Sequence, residues 1–206
     1  MTNDQILDDL NYASALAREG ASAPLVGGRI GLMWGCLLSI TLTLQWAILS
    51  QALNLPLQTL FYVWFAFAAI GGTGIAVMGP KLDKIDGAQS VSNRVEKVVW
   101  TTFSTMMAIL FAGALLNVLF LSGDTTHYNL LVIIAFAGQG MAYGVVAKIS
   151  KARWLFAASL ASFITASLCI TVYDETVLYL IGGIACLFTI VIPSLISLKN
   201  EHHDNI

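Results

Sequence analysis

Long apolar stretches alternate with short polar segments along most of this chain. An α-helix needs about 20 mostly apolar residues to cross the hydrocarbon core of a bilayer. Six stretches have about that length and carry no charged side chain in their central part: 29–50, 58–79, 97–121, 129–147, 154–172 and 177–198. The pattern therefore predicts an all-α fold, a polytopic membrane bundle of six transmembrane helices.

The polar segments after the first, third and fifth predicted spans are short turns. They read SQALNLPLQ, SGDTTHY and YDET. Because so few residues separate the flanking helices, these helices are expected to pack as antiparallel neighbours, which predicts three helical hairpins. We accordingly divide the chain into an N-terminal segment (1–27), a six-helix transmembrane domain (28–198) and a tail (199–206).

The residues before the first span have the pattern of an amphipathic helix. Thr2 and Gln5 have the spacing of a capping box, and apolar residues recur every three or four positions: Ile6, Leu7, Leu10, Ala13 and Ala17. Helices that lie on a membrane surface are usually rich in Lys and Arg, whereas this segment begins with acidic residues. We therefore expect Ile6, Leu7 and Leu10 to bind protein: the chain's own bundle, a second copy or a protein partner.

The basic residues predict the orientation of the bundle. All 10 Lys and Arg residues fall on one side of the six predicted spans: Arg18, Arg29, Lys81, Lys84, Arg94, Lys97, Lys148, Lys151, Arg153 and Lys199. The three turns on the other side contain none. Since cytoplasmic loops carry the excess of Lys and Arg, we expect a multi-pass protein of the cell inner membrane with both termini in the cytoplasm.

Composition identifies the surroundings of the chain. Hydrophobic residues make up 57% of it and charged residues only 11%, against about 25% charged residues in soluble proteins. Too few charges remain to cover a soluble surface, so the lipid bilayer is the first expected partner. A net charge of −2 without a basic cluster argues against nucleic acid, whose phosphates attract grouped Lys and Arg.

The predicted spans lack the usual marks of catalysis and metal binding. Their interiors hold no charged residue of the kind found in proton relays and ion pathways, and no HExxH, GxSxG or P-loop motif occurs. The cysteines lie singly in apolar stretches and the histidines lie in a loop and the tail: Cys36, Cys169, Cys186, His127, His202 and His203. We expect no enzyme activity, no metal and no cofactor.

A few neutral polar residues and glycines within the spans are candidates for lining a cavity. Gln139 lies between two glycines near the middle of the fourth span, and its companions in other spans are Gln45, Asn117, Gly71, Gly72 and Gly74. Polar side chains in spans more often hydrogen-bond to a neighbouring helix, and this alternative stays open for Gln139. The GxxxG spacings at Gly31–Gly35 and Gly140–Gly144 fit tight packing or oligomerisation equally well.

Three motifs together carry a resemblance to known proteins. APLVGGRIGLMWG, AIGGTG and SVSNRVEKVVW resemble an uncharacterised group of small bacterial inner-membrane proteins with six helices. The resemblance implies the same membrane fold and no particular activity. SAPLVGG alone is similar to the segment before the first helix of acetate/succinate transporters, although the Asn-Pro pair of that family is missing here.

Two functions from different classes fit these observations. The first is a non-catalytic inner-membrane protein that acts by association, as a regulatory or accessory subunit or with a second copy of itself. The alternative is a channel or transporter for a small neutral or weakly acidic solute, with Gln139 and the glycines at 71–74 at its constriction. A polar cavity around Gln139 would favour transport, whereas a dry, packed bundle would favour association.

Overall fold

The fold is helical throughout the part of the chain that the computed structural model describes, residues 5–6, 25–85, 87–121 and 126–203. These ranges contain no strand. The helices are α1 (Gly28–Leu49), α2 (Thr59–Leu82), α3 (Val91–Phe120), α4 (His127–Ser150), α5 (Trp154–Thr171), α6 (Val177–Cys186) and α7 (Ile192–His203). A π-helical turn, Leu187–Val191, joins α6 to α7.

Within the described ranges, six helices are long and apolar enough to cross a membrane, which confirms the number of spans expected from the sequence. They are α1 to α5 and a sixth span that runs through α6, the π-helical turn and most of α7. Because lipid offers backbone groups no hydrogen-bond partners, each span satisfies its own backbone as a helix. This requirement explains why apolar length alone identified the spans.

The start of α3 differs from its predicted position. Asn93 and Glu96 have the spacing of a capping box and a span was expected from residue 97, but the helix begins at Val91. Its N-cap is Ser90, whose hydroxyl accepts a hydrogen bond from the Asn93 backbone N–H at 3.3 Å. The helix is therefore capped one turn earlier than the sequence indicated.

Four of the six spans form the packed core of the described bundle. α1 packs along the sixth span, which also contacts α5, while α4 packs against α5 over most of its length. The main buried cluster lies where these spans meet and contains Leu42, Val132, Phe136, Ala166, Cys169, Leu178, Tyr179, Cys186 and Ile190. The core therefore excludes α2 and α3.

These two helices lie at the periphery of the bundle. α2 packs against α1, and α3 packs against α4. Only 6% of the apolar window of α2 and 0% of that of α3 are buried, compared with 33–44% in the other four spans. Most of the surface of α2 and α3 therefore remains uncovered by the described residues, apart from one contact face on each helix.

Glycines allow α1 and the sixth span to approach closely. A Cβ atom on Gly28 would lie 3.0 Å from the Ser194 carbonyl oxygen, and one on Gly35 would lie 2.9 Å from the methyl groups of Ile190 and Val191. Gly31 faces Ser194 on the same stripe. Small residues at such crossings let helix backbones pack tightly, so this chain uses the Gly31–Gly35 pair for internal packing.

The two ends of the bundle differ in character. The basic end gathers residues 25–29, 80–97, 148–153 and 197–201, and the opposite end gathers the turns around 50–58 and 172–176. At the basic end Asn93 accepts a hydrogen bond from the Val26 backbone N–H at 3.0 Å. Ser197 donates one to the Leu25 carbonyl, so the segment before α1 connects α3 to the sixth span.

Candidate functional site

Gln139 lies in the core of the bundle, where α4 meets α5 and the sixth span. Its side chain is 5% exposed. The amide nitrogen Nε2 donates to the Ser162 hydroxyl at 3.0 Å and to the Thr189 carbonyl at 3.4 Å. Gln139 thus joins three spans through a single amide group.

Pro193 explains why the Thr189 carbonyl is available to accept a hydrogen bond from Gln139. In an α-helix each carbonyl accepts a hydrogen bond from the N–H four residues later, but proline has no N–H. The Thr189 carbonyl, four residues before Pro193, therefore lacks its ordinary helical donor. An unpaired carbonyl in a membrane interior is costly, and the Gln139 amide supplies the missing donor.

The backbone around this carbonyl departs from α-helical geometry. The π-helical turn Leu187–Val191 ends just before Pro193, and the Ile192 N–H bonds to the Leu187 carbonyl, five residues earlier. Turns of this kind are rare and are found mostly inside α-helices, often at functional sites. Here the turn and the proline occupy one level of the sixth span, opposite Gln139.

The surroundings of Gln139 are tightly packed. On α5 the Ser159 hydroxyl donates to the Gly140 carbonyl at 2.6 Å, and the Ser162 hydroxyl donates to the Ala158 carbonyl at 2.8 Å. A Cβ atom on Gly140 would lie 2.7 Å from the Phe163 ring. The polar groups near Gln139 therefore hydrogen-bond to one another and to the backbone across a close crossing of α4 and α5.

Gln45 belongs to a second polar cluster, which lies towards the end of the bundle opposite the basic end. Its Oε1 atom accepts a hydrogen bond from Trp64 Nε1 at 2.9 Å, which connects α1 to α2. Trp64 packs against the buried cluster that contains Tyr179, and the Tyr179 hydroxyl donates to Asn129 Oδ1 at 2.5 Å. The cluster thus connects α1, α2, α4 and α6.

Asn117 lies on α3 and is half-buried. Its Oδ1 atom is shielded from solvent and makes no hydrogen bond with the described residues. α3 contacts α4 in this region, where the Phe111 and Tyr128 rings lie 6.0 Å apart. Asn117 is therefore remote from the core amide of Gln139.

The three glycines predicted to line a cavity lie on the continuous helix α2, which is not broken at 71–74. Gly71 faces the indole of Trp34 on α1, and Gly74 faces the sulfur of Met33. A Cβ atom on Gly72 would have no neighbour within 4 Å. Two of these glycines therefore accommodate α1 side chains, and the third faces outward.

The predicted cavity residues are not all brought to one place. Gln139 contacts α5 and the sixth span, whereas Gly71 and Gly74 contact α1. Gln45 lies near the opposite end, in a separate cluster. The cavity-lining role of the six residues stays a prediction.

The predicted partner-binding residues are described only in part. Gln5 and Ile6 are helical, and the Ile6 side chain is 43% exposed. Leu7 and Leu10 lie outside the described residues. The role of all three in binding a partner likewise stays a prediction.

Two features escaped the sequence-based reasoning. The first is an ion pair between Arg29 and Glu201 at 2.9 Å, in which Glu201 is 3% exposed although it lies in the segment predicted to be a tail. The second is the uncovered surface of α2 and α3. An acidic residue one helical turn beyond an apolar span could have indicated the first feature, but no pattern along the chain indicated the second.

Comparison of the chain with protein-family models, curated proteins and solved structures gave no match. The resemblance to small bacterial six-helix membrane proteins therefore stays an expectation.

Proposed function

We propose that this chain is a non-catalytic membrane protein that acts by association with other membrane-embedded helices, in the simplest case those of a second copy. The observation that carries the proposal is that only 6% of the apolar window of α2 is buried, next to a well-packed core. Transmembrane helices associate through van der Waals packing and hydrogen bonds, so an uncovered helix surface is free to make such contacts.

Small residues on one face of α2 support this proposal. Ala69, Gly72, Ala76 and Gly79 recur at spacings of three and four residues and therefore share a face. A Cβ atom on Gly72 or Gly79 would have no neighbour within 4 Å, whereas one on Gly35 would press against the sixth span. Glycine inside a helix costs about 1 kcal/mol relative to alanine, a cost that close packing against another helix would offset.

The environment of Gln139 favours association over the transport alternative. A solute pathway needs polar groups that remain free to bind the solute. The Gln139 amide instead donates to Ser162 and to the Thr189 carbonyl. We assign it a structural role in joining α4 to α5 and the sixth span.

The proposal includes the finer topology expected from the sequence. The six spans form three hairpins in the inner membrane, and the basic end, which carries the Lys and Arg residues, faces the cytoplasm. An amphipathic N-terminal helix lies on that side, where Ile6, Leu7 and Leu10 add a second contact to the partner.

A bulky residue on the exposed face of α2 tests the proposal. Gly72→Leu should lower the mass of the complex in mild detergent without lowering the thermal unfolding midpoint, because a Cβ atom on Gly72 would meet no described residue within 4 Å. Gly113→Leu is the matched control, since Gly113 on α3 is equally open. A wild-type protein that runs as a single chain without any bound partner, or an unchanged complex with Gly72→Leu, would contradict the proposal.

A further inference from the structure

Three cations lie where α2 ends and α3 begins. Lys81, Lys84 and Arg94 are all exposed. They make no ion pair with the part of the chain that the structure describes, in contrast to Lys97, whose Nζ lies 2.8 Å from Asp83 Oδ1. The Asp83–Lys97 pair connects the end of α2 to the first turns of α3, so the three cations surround one junction.

The exposed face of α3 changes from charged to apolar away from this junction. Arg94, Val98, Thr101 and Thr105 recur at spacings of four, three and four residues and share one face. All four are exposed, Val98 to 64%. A cation is thus followed along the helix by an apolar contact and then by two hydroxyls.

The length of α3 sets the depth of this face in the bilayer. Its 30 residues span about 45 Å at 1.5 Å per residue, whereas the hydrocarbon core is about 30 Å thick. The first turns of α3 therefore reach the headgroup level. Thr101 lies about 15 Å along the helix from Val91, near the level of the glycerol esters, and Thr105 lies one turn deeper, in the hydrocarbon core.

We propose that the junction of α2 and α3 binds an anionic phospholipid. Its phosphate lies among Lys81, Lys84 and Arg94, and its acyl chains follow the uncovered apolar surface of α3. The charges are complementary, because three cations that make no ion pair with the described residues can contact an anionic headgroup, and basic residues next to a span attract anionic lipids.

The loop between α4 and α5 provides a matched control for charge alone. It carries three exposed basic residues, Lys148, Lys151 and Arg153, but its two helices pack closely against each other. If basic residues only attract anionic lipid in a general way, both loops should contribute equally to the affinity for it. If the α2–α3 junction is a defined site, its basic residues should contribute more.

Native mass spectrometry of the purified protein with added phosphatidylglycerol tests this proposal, with phosphatidylcholine as the zwitterionic comparison. Each cation that contacts the bound phosphate is expected to contribute about fivefold to affinity. The triple variant Lys81→Gln, Lys84→Gln, Arg94→Gln should therefore bind phosphatidylglycerol about 100-fold more weakly. The triple variant Lys148→Gln, Lys151→Gln, Arg153→Gln should bind it within about threefold of the wild type.

The single variant Arg94→Gln keeps the test valid if the first triple variant misfolds. It should weaken binding about fivefold with an unchanged circular dichroism spectrum. Equal losses in the two triple variants would overturn the proposal in favour of general charge attraction. A wild-type protein that binds phosphatidylcholine as well as phosphatidylglycerol would overturn it too. The two Gly→Leu variants leave these cations intact, so failure here is distinguishable from failure of the association proposal.

Discussion

Replacing Gln139 by leucine removes the amide donor from the core and leaves the Thr189 carbonyl without its partner from α4. Side-chain hydrogen bonds in membrane proteins average about 0.6 kcal/mol and reach about 1.7 kcal/mol. One of the two bonds of Gln139 is short at 3.0 Å and the other is long at 3.4 Å. We therefore expect Gln139→Leu to lower the free energy of unfolding by about 1–2 kcal/mol.

Pro193 makes this prediction more specific. Pro193→Ala restores a backbone N–H that can bond to the Thr189 carbonyl within the helix. In that background Gln139→Leu should cost only the Ser162 contact, about 0.5 kcal/mol. The double-mutant cycle should thus give a coupling energy of about 0.5–1.5 kcal/mol between two residues on different spans.

The assay is reversible unfolding in mixed micelles titrated with sodium dodecyl sulfate and followed by circular dichroism. All four proteins of the cycle are measured under the same conditions, and Ser162→Ala serves as the control that removes only the other partner of the amide. A coupling energy within about 0.3 kcal/mol of zero, the ordinary error of additivity, would refute the idea that Gln139 compensates for Pro193.

Four further substitutions probe other contacts by the same assay. Gly35→Ala should lower the free energy of unfolding by about 1–3 kcal/mol because its methyl group would press against the sixth span. Gly72→Ala on the open face of α2 should instead raise it by up to about 1 kcal/mol. Equal effects of the two substitutions would contradict the described packing. Trp64→Phe removes the indole donor to Gln45 and should cost about 0.5–1.5 kcal/mol, and an unchanged stability would show that this bond contributes nothing. Arg29→Gln removes the cation that pairs with the buried Glu201 carboxylate of α7. It should cost about 1–2 kcal/mol, less than a fully buried pair because the arginine is half exposed; no loss, or a gain, would contradict a stabilising pair.

The number of spans was predictable because it depends on the length and apolar character of each segment. These are local properties, and the bilayer imposes the same length on every span. The local start of α3 was less secure. Ser90 and Asn93 both have a polar residue three positions later and are both possible N-caps. The bond from the Asn93 N–H to the Ser90 hydroxyl shows that Ser90 is the cap.

The packing of the spans was not predictable in the same way. In lipid, apolar side chains gain nothing by turning inward, so hydrophobic periodicity does not reveal which helix faces touch. Gln139 could be recognised along the chain as a polar residue in mid-span, and Pro193 could be recognised as freeing the Thr189 carbonyl. Their proximity depends on how α4 packs against the sixth span, and no pattern along the chain gives that.

Site-specific photocrosslinking in native membranes tests the association proposal most directly. A photoreactive residue at Gly72 lies on the open face of α2. One at Leu160 lies at an exposed apolar position of α5, a helix whose other face packs in the core. Association through α2 predicts a defined protein adduct from position 72, of a second copy or of one recurring partner, and only lipid adducts from position 160. Lipid adducts alone from both positions would contradict it.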